Sequence, residues 1–227
     1  MRVAVIGLFP LNHVLLPGMP LPLHVFEQRY RDLVDDVESR SAAQRAFGVV
    51  ALRSGTEAAN KHLRTGAPDL ADVGTLAEVV ELERSPDGTS DLLCVGSRRF
   101  RVLHLITEGS TYLRAEVEFL PEVQGALTPQ QEQRARDLIG VYDTALRRLA
   151  GRPTGDTLAG DATQLSFQIA ARLPLAPEDR QALLADDDAA SRLTRVASLT
   201  RRELALLERT RSIAVAPTVL RIAVSVN

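Results

Sequence analysis

The sequence predicts an α+β protein: a strand-rich, barrel-like half up to about Pro121, then a half of four helices from Thr128 onward. Three observations carry that division. Leu113, Ala115, Val117 and Phe119 alternate with Arg114, Glu116 and Glu118, the two-residue period of a strand with one buried and one wet face. Short extended segments are separated by strong turn sequences, Ser85-Pro86-Asp87-Gly88 and Glu108-Gly109-Ser110. Past Thr128 the apolar period lengthens, with Leu138, Ile139, Tyr142, Leu146 and Leu149 falling on a helical face.

The elements follow in order. Val3–Phe9 reads as a first strand and Ala46–Leu52, with Phe47, Val49 and Val50, as another. Between them Tyr30, Leu33, Val34 and Val37 stand at i, i+3, i+4 and i+7, the spacing of one short helix. Ser54–Asp72 reads as a polar loop. A meander follows: Thr75–Arg84, Asp91–Val95, Arg99–Ile106 and Thr111–Leu120, with Gly96 placed for a bulge or bend of the kind a sheet needs to curl. In the second half, Thr128-Pro129-Gln130-Gln131 is a capping box with proline at the first helical position, and Gly151 is the stop. Leu165–Leu173 is a second helix ended by Pro174, and Pro177-Glu178-Asp179 opens a third through Leu184. A fourth runs from about Ala189 to Arg211, with Leu193, Val196, Leu204 and Leu207 inside. The expected units are residues 1–122 (β-rich), 126–211 (helical) and an apolar segment 212–227 that packs back on the fold.

Composition removes several kinds of chemistry. Of 27 basic residues only Lys61 is lysine, and it sits in Ala-Asn-Lys-His-Leu without the glycines of a phosphate-binding loop. A Ser–Lys dyad or a Schiff-base enzyme would have to use that one loop residue. The single cysteine, Cys94, lies in the apolar run Asp91-Leu-Leu-Cys-Val-Gly96 and reads as a buried, inert thiol; one cysteine makes neither an internal disulfide nor a multi-cysteine metal site. There is no Gly-x-Ser-x-Gly, no His-Glu-x-x-His and no Gly-x-Gly-x-x-Gly. Asp186-Asp187-Asp188, directly before a helix, reads as dipole-complementing carboxylates. His24 with Glu27 is a bare i, i+3 pair read as a local contact. A net charge of −2 draws the molecule as a whole to neither nucleic acid nor anionic lipid, and no run of about 18 apolar residues suggests a membrane span. No cofactor and no metal are expected, and the expected location is cytoplasmic.

Two candidate surfaces remain. Leu8 to Arg31 is very apolar yet broken by four prolines between Pro10 and Pro22, with Pro17-Gly18 forcing a turn. The residues Leu16, Met19, Pro20 and Leu21, with Phe9 and Phe26 behind them, form a surface for extended apolar polypeptide if that turn faces outward. The basic cluster Arg98, Arg99 and Arg101, beside Phe100, is the alternative, a phosphate-contacting patch; a solvated, ion-paired face is the plainer reading of it.

The segment Leu8-Phe9-Pro10-Leu11, Pro17-Gly18, Leu21-Pro22-Leu23-His24 and the short helix after it resembles the N-terminal substrate-binding domain of Lon proteases. The resemblance continues through Phe47-Gly48-Val49-Val50, Asp72-Val73-Gly74-Thr75, Asp87-Gly88, Val95-Gly96-Ser97-Arg98-Arg99-Phe100-Arg101, Ile169-Ala170-Ala171-Arg172-Leu173-Pro174-Leu175 and Leu184–Leu207. It implies a PUA-like β pseudo-barrel followed by a four-helix bundle, and a part in binding unfolded or damaged polypeptide and in oligomer assembly. Neither a Walker motif nor a Ser–Lys dyad is found here, so the resemblance is to the stand-alone proteins of this family and transfers no catalytic residue. The expected function is a non-enzymatic module for unfolded or apolar polypeptide segments, acting as adaptor or holdase, with a protease, a chaperone or a second copy as partner. The alternative is RNA binding through a PUA-like surface.

Overall fold

A computed structural model describes residues 2–53, 69–150, 158–210 and 222–223. The chain divides into two compact units, one made of Met1–Pro121 with Leu220–Asn227 and the other of Glu122–Val219. Most of the Ser54–Asp72 loop, Gly151 and all but two residues of the 212–227 segment lie outside the described residues.

The first unit contains β1 (Arg2–Leu11), β2 (Pro20–Val25), α1 (Gln28–Glu38), a single 3₁₀ turn at Ala42–Gln44, β3 (Ala46–Ala51), β4 (Val73–Arg84), β5 (Ser90–Ile106), β6 (Arg114–Phe119) and the two-residue β7 (Ile222–Ala223). Strand order is β4-β3-β1-β6-β5-β2-β7, and β4 also pairs with β5. That extra pairing closes β4-β3-β1-β6-β5 into a ring of five strands. All pairs are antiparallel except β1 with β3 and β2 with β7.

β5 makes closure possible because it is long enough to serve different neighbours along its length. Its first half runs between β2 and β4, and its second half pairs with β6, the β4 and β6 ladders overlapping at Phe100 and Arg101. The bend falls at Gly96, where the step from Gly96 to Arg99 opposes the shorter step from Ala77 to Thr75. Only glycine fits there: a Cβ on Gly96 would stand 2.4 Å from the Leu16 carbonyl oxygen. Inside the ring, Leu8, Val50, Phe100, Ala115 and Val117 pack as one apolar cluster. α1 buries the four residues its spacing predicts, Tyr30, Leu33, Val34 and Val37. Tyr30 stacks on Phe9 at 4.1 Å between ring centroids, and Phe9 in turn meets Phe47. Burial pushes the Tyr30 hydroxyl up to about 12.

The second unit contains α2 (Pro129–Ala150), α3 (Ala162–Arg172), α4 (Pro177–Ala185) and α5 (Ala189–Thr210). The capping box is formed: the Thr128 amide donates to Gln131 Oε1 at 2.9 Å, and the Gln131 amide donates back to the threonine hydroxyl oxygen. α3 starts three residues before the predicted Leu165, because the Asp161 carboxylate caps the Gln164 amide at 3.0 Å. The Asp186–Asp188 run serves α5 in the same way, with the Ser191 amide donating to Asp188 Oδ1 and its hydroxyl to Asp186. The other helices pack on α5, chiefly α2 and α3.

Buried arginines fasten the chain within each unit. Arg180 donates to the carbonyls of Leu173 and Leu175, which flank the helix-ending Pro174. Arg192 donates to the Asp186 carbonyl, the Ser166 hydroxyl and the Glu122 carboxylate, and lies over the Phe167 ring at 4.4 Å. In the β unit, Arg99 donates to the Pro121 carbonyl. A planar fork with five donors reaches acceptors spread around it, whereas lysine gathers three donors at one point.

Candidate polypeptide-binding surface

The proline-rich segment divides at Gly18. Before it, Val14, Leu15 and Leu16 are all buried, and the turn is held from both sides by backbone bonds. Gly18, at φ +79°, donates to the Gly96 carbonyl at 2.8 Å, Gly96 donates to Met19, and Met19 donates to Leu16. The buried Thr75 hydroxyl takes up the Leu15 carbonyl at 2.7 Å. The turn therefore folds inward onto β5. It does not display its apolar side chains.

From Pro20 the chain is a strand, and the period of two sorts its residues. Leu21, Leu23 and Val25 point into the core; Pro20, Pro22 and His24 point out, with Phe26 continuing the outward series just past the strand. This corrects the sequence expectation in detail. Leu16, Met19, Leu21 and Phe9 are core residues, with Met19 and Leu21 each only 1% exposed. Pro20 and Phe26 do reach solvent, and Phe26 is 40% exposed.

The outward residues of β2 are the first members of three rows across the sheet. Pro20 stands opposite Val95, and Val95 opposite Glu78; Pro22 is followed by Leu93 and Glu81; His24 by Asp91 and Glu83. Pro22, Leu93 and Val95 are half-buried, while His24, Asp91 and the three glutamates are exposed. The result is an apolar stripe, Pro20-Pro22-His24-Phe26 with Val95 and Leu93 beside it, bordered by a column of carboxylates. At the Phe26 end the His24 and Phe26 rings lie 6.2 Å apart at 29°, and His24 Nδ1 is 3.0 Å from an Asp91 carboxylate oxygen. His24 thus pairs with Asp91, and not with Glu27, whose carboxylate holds Arg29 at 2.7 Å. Nothing local in the sequence signals this pair, whose members are 67 residues apart.

The arginine cluster is not gathered into a patch. Arg99 is fully buried and used by the backbone. The Arg98 guanidinium carbon sits over the Phe119 ring, 4.2 Å from its centroid, and Arg101 stands opposite Glu118 on β6. Cys94 is buried as expected, and burial pushes its thiol up to about 12. Among the described residues, no group of three His, Cys, Asp or Glu side chains is placed to hold a metal ion, and no helix is long and apolar enough to cross a membrane.

Comparison with known proteins agrees with this architecture. The family described as the ATP-dependent protease La (LON) substrate-binding domain matches residues 5–202. The chain belongs to that family. The Lon substrate-binding fold is seen in a Lon N-terminal domain protein from Xanthomonas campestris, which superimposes with a TM-score of 0.63 at 28% identity, covering 86% of this chain and 98% of that one. The N-terminal domain of the Mycobacterium avium complex Lon protease shares the fold, with a TM-score of 0.58 at 16% identity over 87% of this chain and 98% of that one. In sequence, the chain is 34% identical over 196 residues to a Lon protease of Paraburkholderia phytofirmans. It is 31% identical over 204 residues to Lon protease 2 of Syntrophobacter fumaroxidans. These alignments take in 82% and 87% of this chain but only 22% and 24% of the relatives. The chain thus spans about a quarter of the length of those Lon proteases, within their substrate-binding domain and not their catalytic one.

Proposed function

We propose that this chain is a non-enzymatic polypeptide-binding module that holds exposed apolar stretches of unfolded protein on the Pro20-Pro22-His24-Phe26 stripe, as an adaptor or holdase. The observation that carries the reading is the outward parity of β2, which leaves a large aromatic and two prolines in line on one sheet face. Membership of the Lon substrate-binding family supports it. So does the border of Glu78, Glu81, Glu83 and Asp91, which favours apolar segments carrying basic residues and repels phosphate. The same border, with the buried Arg99 and the covering role of Arg98, argues against the RNA reading.

A fluorescence-anisotropy titration with a reduced, carboxamidomethylated and permanently unfolded protein tests this. Binding is expected to change little between 50 and 200 mM salt, because burial of apolar surface drives it. A loss of roughly a hundredfold or more over that range, with tighter binding to single-stranded RNA, would overturn the proposal in favour of phosphate contacts.

A further inference from the structure

β2 lies toward one end of the sheet, and its outer edge has an unusual hydrogen-bonding character. The Gly96 amide donates to the Met19 carbonyl, and the ladder then alternates, so Leu21, Leu23 and Val25 turn their backbone groups toward β5. Pro20, Pro22 and His24 turn theirs outward. Two of those three have no N–H, so the edge offers the bare carbonyls of Pro20 and Pro22 and one complete amide, at His24. Prolines on an edge strand block indiscriminate sheet-to-sheet pairing. The single open stretch is therefore Leu23–Val25, beside the exposed ring of Phe26.

That stretch is occupied. Ile222–Ala223 pairs with it in parallel, Ile222 beside Leu23 and Ala223 beside His24. The chain's own apolar residues lie at the edge of the same strand that carries the stripe. From this we infer that the Leu23–Val25 edge is a strand-addition site for extended, apolar polypeptide, and that Ile222–Ala223 is a resident competitor that incoming polypeptide displaces. The inference deepens the proposed function and rests on it for the class of ligand. Strand addition suits a binder of unfolded chains because main-chain hydrogen bonds supply affinity for any sequence able to extend, while alternate side chains add selectivity. A longer guest can displace the resident, whose pairing among the described residues is Ile222–Ala223, yet the resident lowers the affinity for weak guests by the fraction of time the edge is open.

The probe is a fluorescein-labelled synthetic peptide with the sequence of residues 218–227, titrated against the full chain and against an Ile222→Asp/Ala223→Pro variant. With the resident segment no longer able to pair, the variant is expected to bind the probe about tenfold more tightly than the parent. A probe N-methylated at the position of Ile222, whose N–H faces the Pro22 carbonyl in this parallel register, is expected to lose binding to both proteins, which separates main-chain pairing from side-chain contact without altering the protein. Equal affinity of parent and variant, or undiminished binding of the N-methylated probe, would overturn the inference. Sedimentation adds a third outcome. If the parent is a dimer that the variant dissolves, the segment pairs with β2 of a second copy, and competition within one chain is refuted. A Phe26→Ser variant distinguishes the two proposals. Unchanged binding of unfolded protein to that variant sinks the stripe, while the tenfold gain of the Ile222→Asp/Ala223→Pro variant for the peptide probe stands or falls separately.

Discussion

Replacing Arg192 by lysine asks whether the buried arginines hold the helical unit by their geometry or merely by their charge. Arg192 is fully buried, donates to the Asp186 carbonyl at 2.6 Å, the Glu122 carboxylate at 2.9 Å and the Ser166 hydroxyl at 3.2 Å, and stacks on Phe167. Lysine keeps the charge, but one ammonium cannot reach acceptors spread around a planar fork. At least one buried acceptor is left unpaired, worth about 1–3 kcal/mol. Loss of the stacked contact adds about 1 kcal/mol. The expected destabilisation of about 3 kcal/mol, at roughly 3 °C per kcal/mol for a domain of this size, lowers the thermal midpoint by about 9 °C. Circular-dichroism melts of Arg192→Lys beside Arg195→Lys measure it; Arg195 is an exposed position on the same helix, expected to shift by no more than about 0.5 kcal/mol. If Arg192→Lys melts within about 2 °C of the parent, charge suffices and the geometric argument fails.

The remaining predictions follow from burial and registry. Met19→Ala, at a fully buried position, is expected to destabilise by about 2–5 kcal/mol in chemical denaturation, and any accompanying loss of binding should track the unfolded fraction. Phe26→Ser is expected to leave the thermal midpoint nearly unchanged while weakening unfolded-protein binding roughly thirtyfold, since burying the exposed 40% of the ring is worth about 2 kcal/mol. Gly96→Ala forces a Cβ onto the Leu16 carbonyl and should lower the midpoint by several degrees, readable in the same melts. Tyr30 is raised from 10.0 to about 12 by burial in the folded state, so its contribution to stability is complete below pH 10 and disappears as pH climbs through 12. Denaturant midpoints measured from pH 9 to 12 should fall in that window, and Tyr30→Phe should flatten part of the fall. Cys94 is expected to resist a maleimide at pH 8 in the folded protein and to react at once in guanidinium.

Much of the fold is legible in the sequence because it is written in local periods. The alternation at Leu113–Phe119, the i, i+3, i+4, i+7 set of α1, the Thr128 capping box and the dipole role of Asp186–Asp188 each depend on residues within a turn or two of one another. The candidate site is less legible, for two physical reasons. Pro20 and Pro22 hide the strand at Pro20–Val25, since a strand accepts proline only where no neighbour needs its N–H, and which positions those are is a property of the whole sheet. Without that strand the inward parity of Leu21 and the outward parity of Phe26 cannot be assigned, and apolar residues near a turn look displayed. The His24–Asp91 pair and the glutamate border depend on the register of β2 against β5 and of β5 against β4, which no local pattern encodes. The arginines misled in the opposite direction: runs such as Arg98-Arg99 look like wet, paired surface, whereas Arg99, Arg180 and Arg192 are buried fasteners for carbonyls freed at bends and helix ends.

The most direct measurement is a map of backbone amide chemical shifts in ¹⁵N-labelled protein as an unfolded polypeptide is added. The perturbed amides are expected to cluster at His24, Val25 and Phe26 and across the sheet at Asp91, Leu93 and Val95, with the core amides of Leu16 and Met19 little affected. Perturbations centred instead on Arg98 to Arg101, or confined to the helical unit, would contradict that expectation.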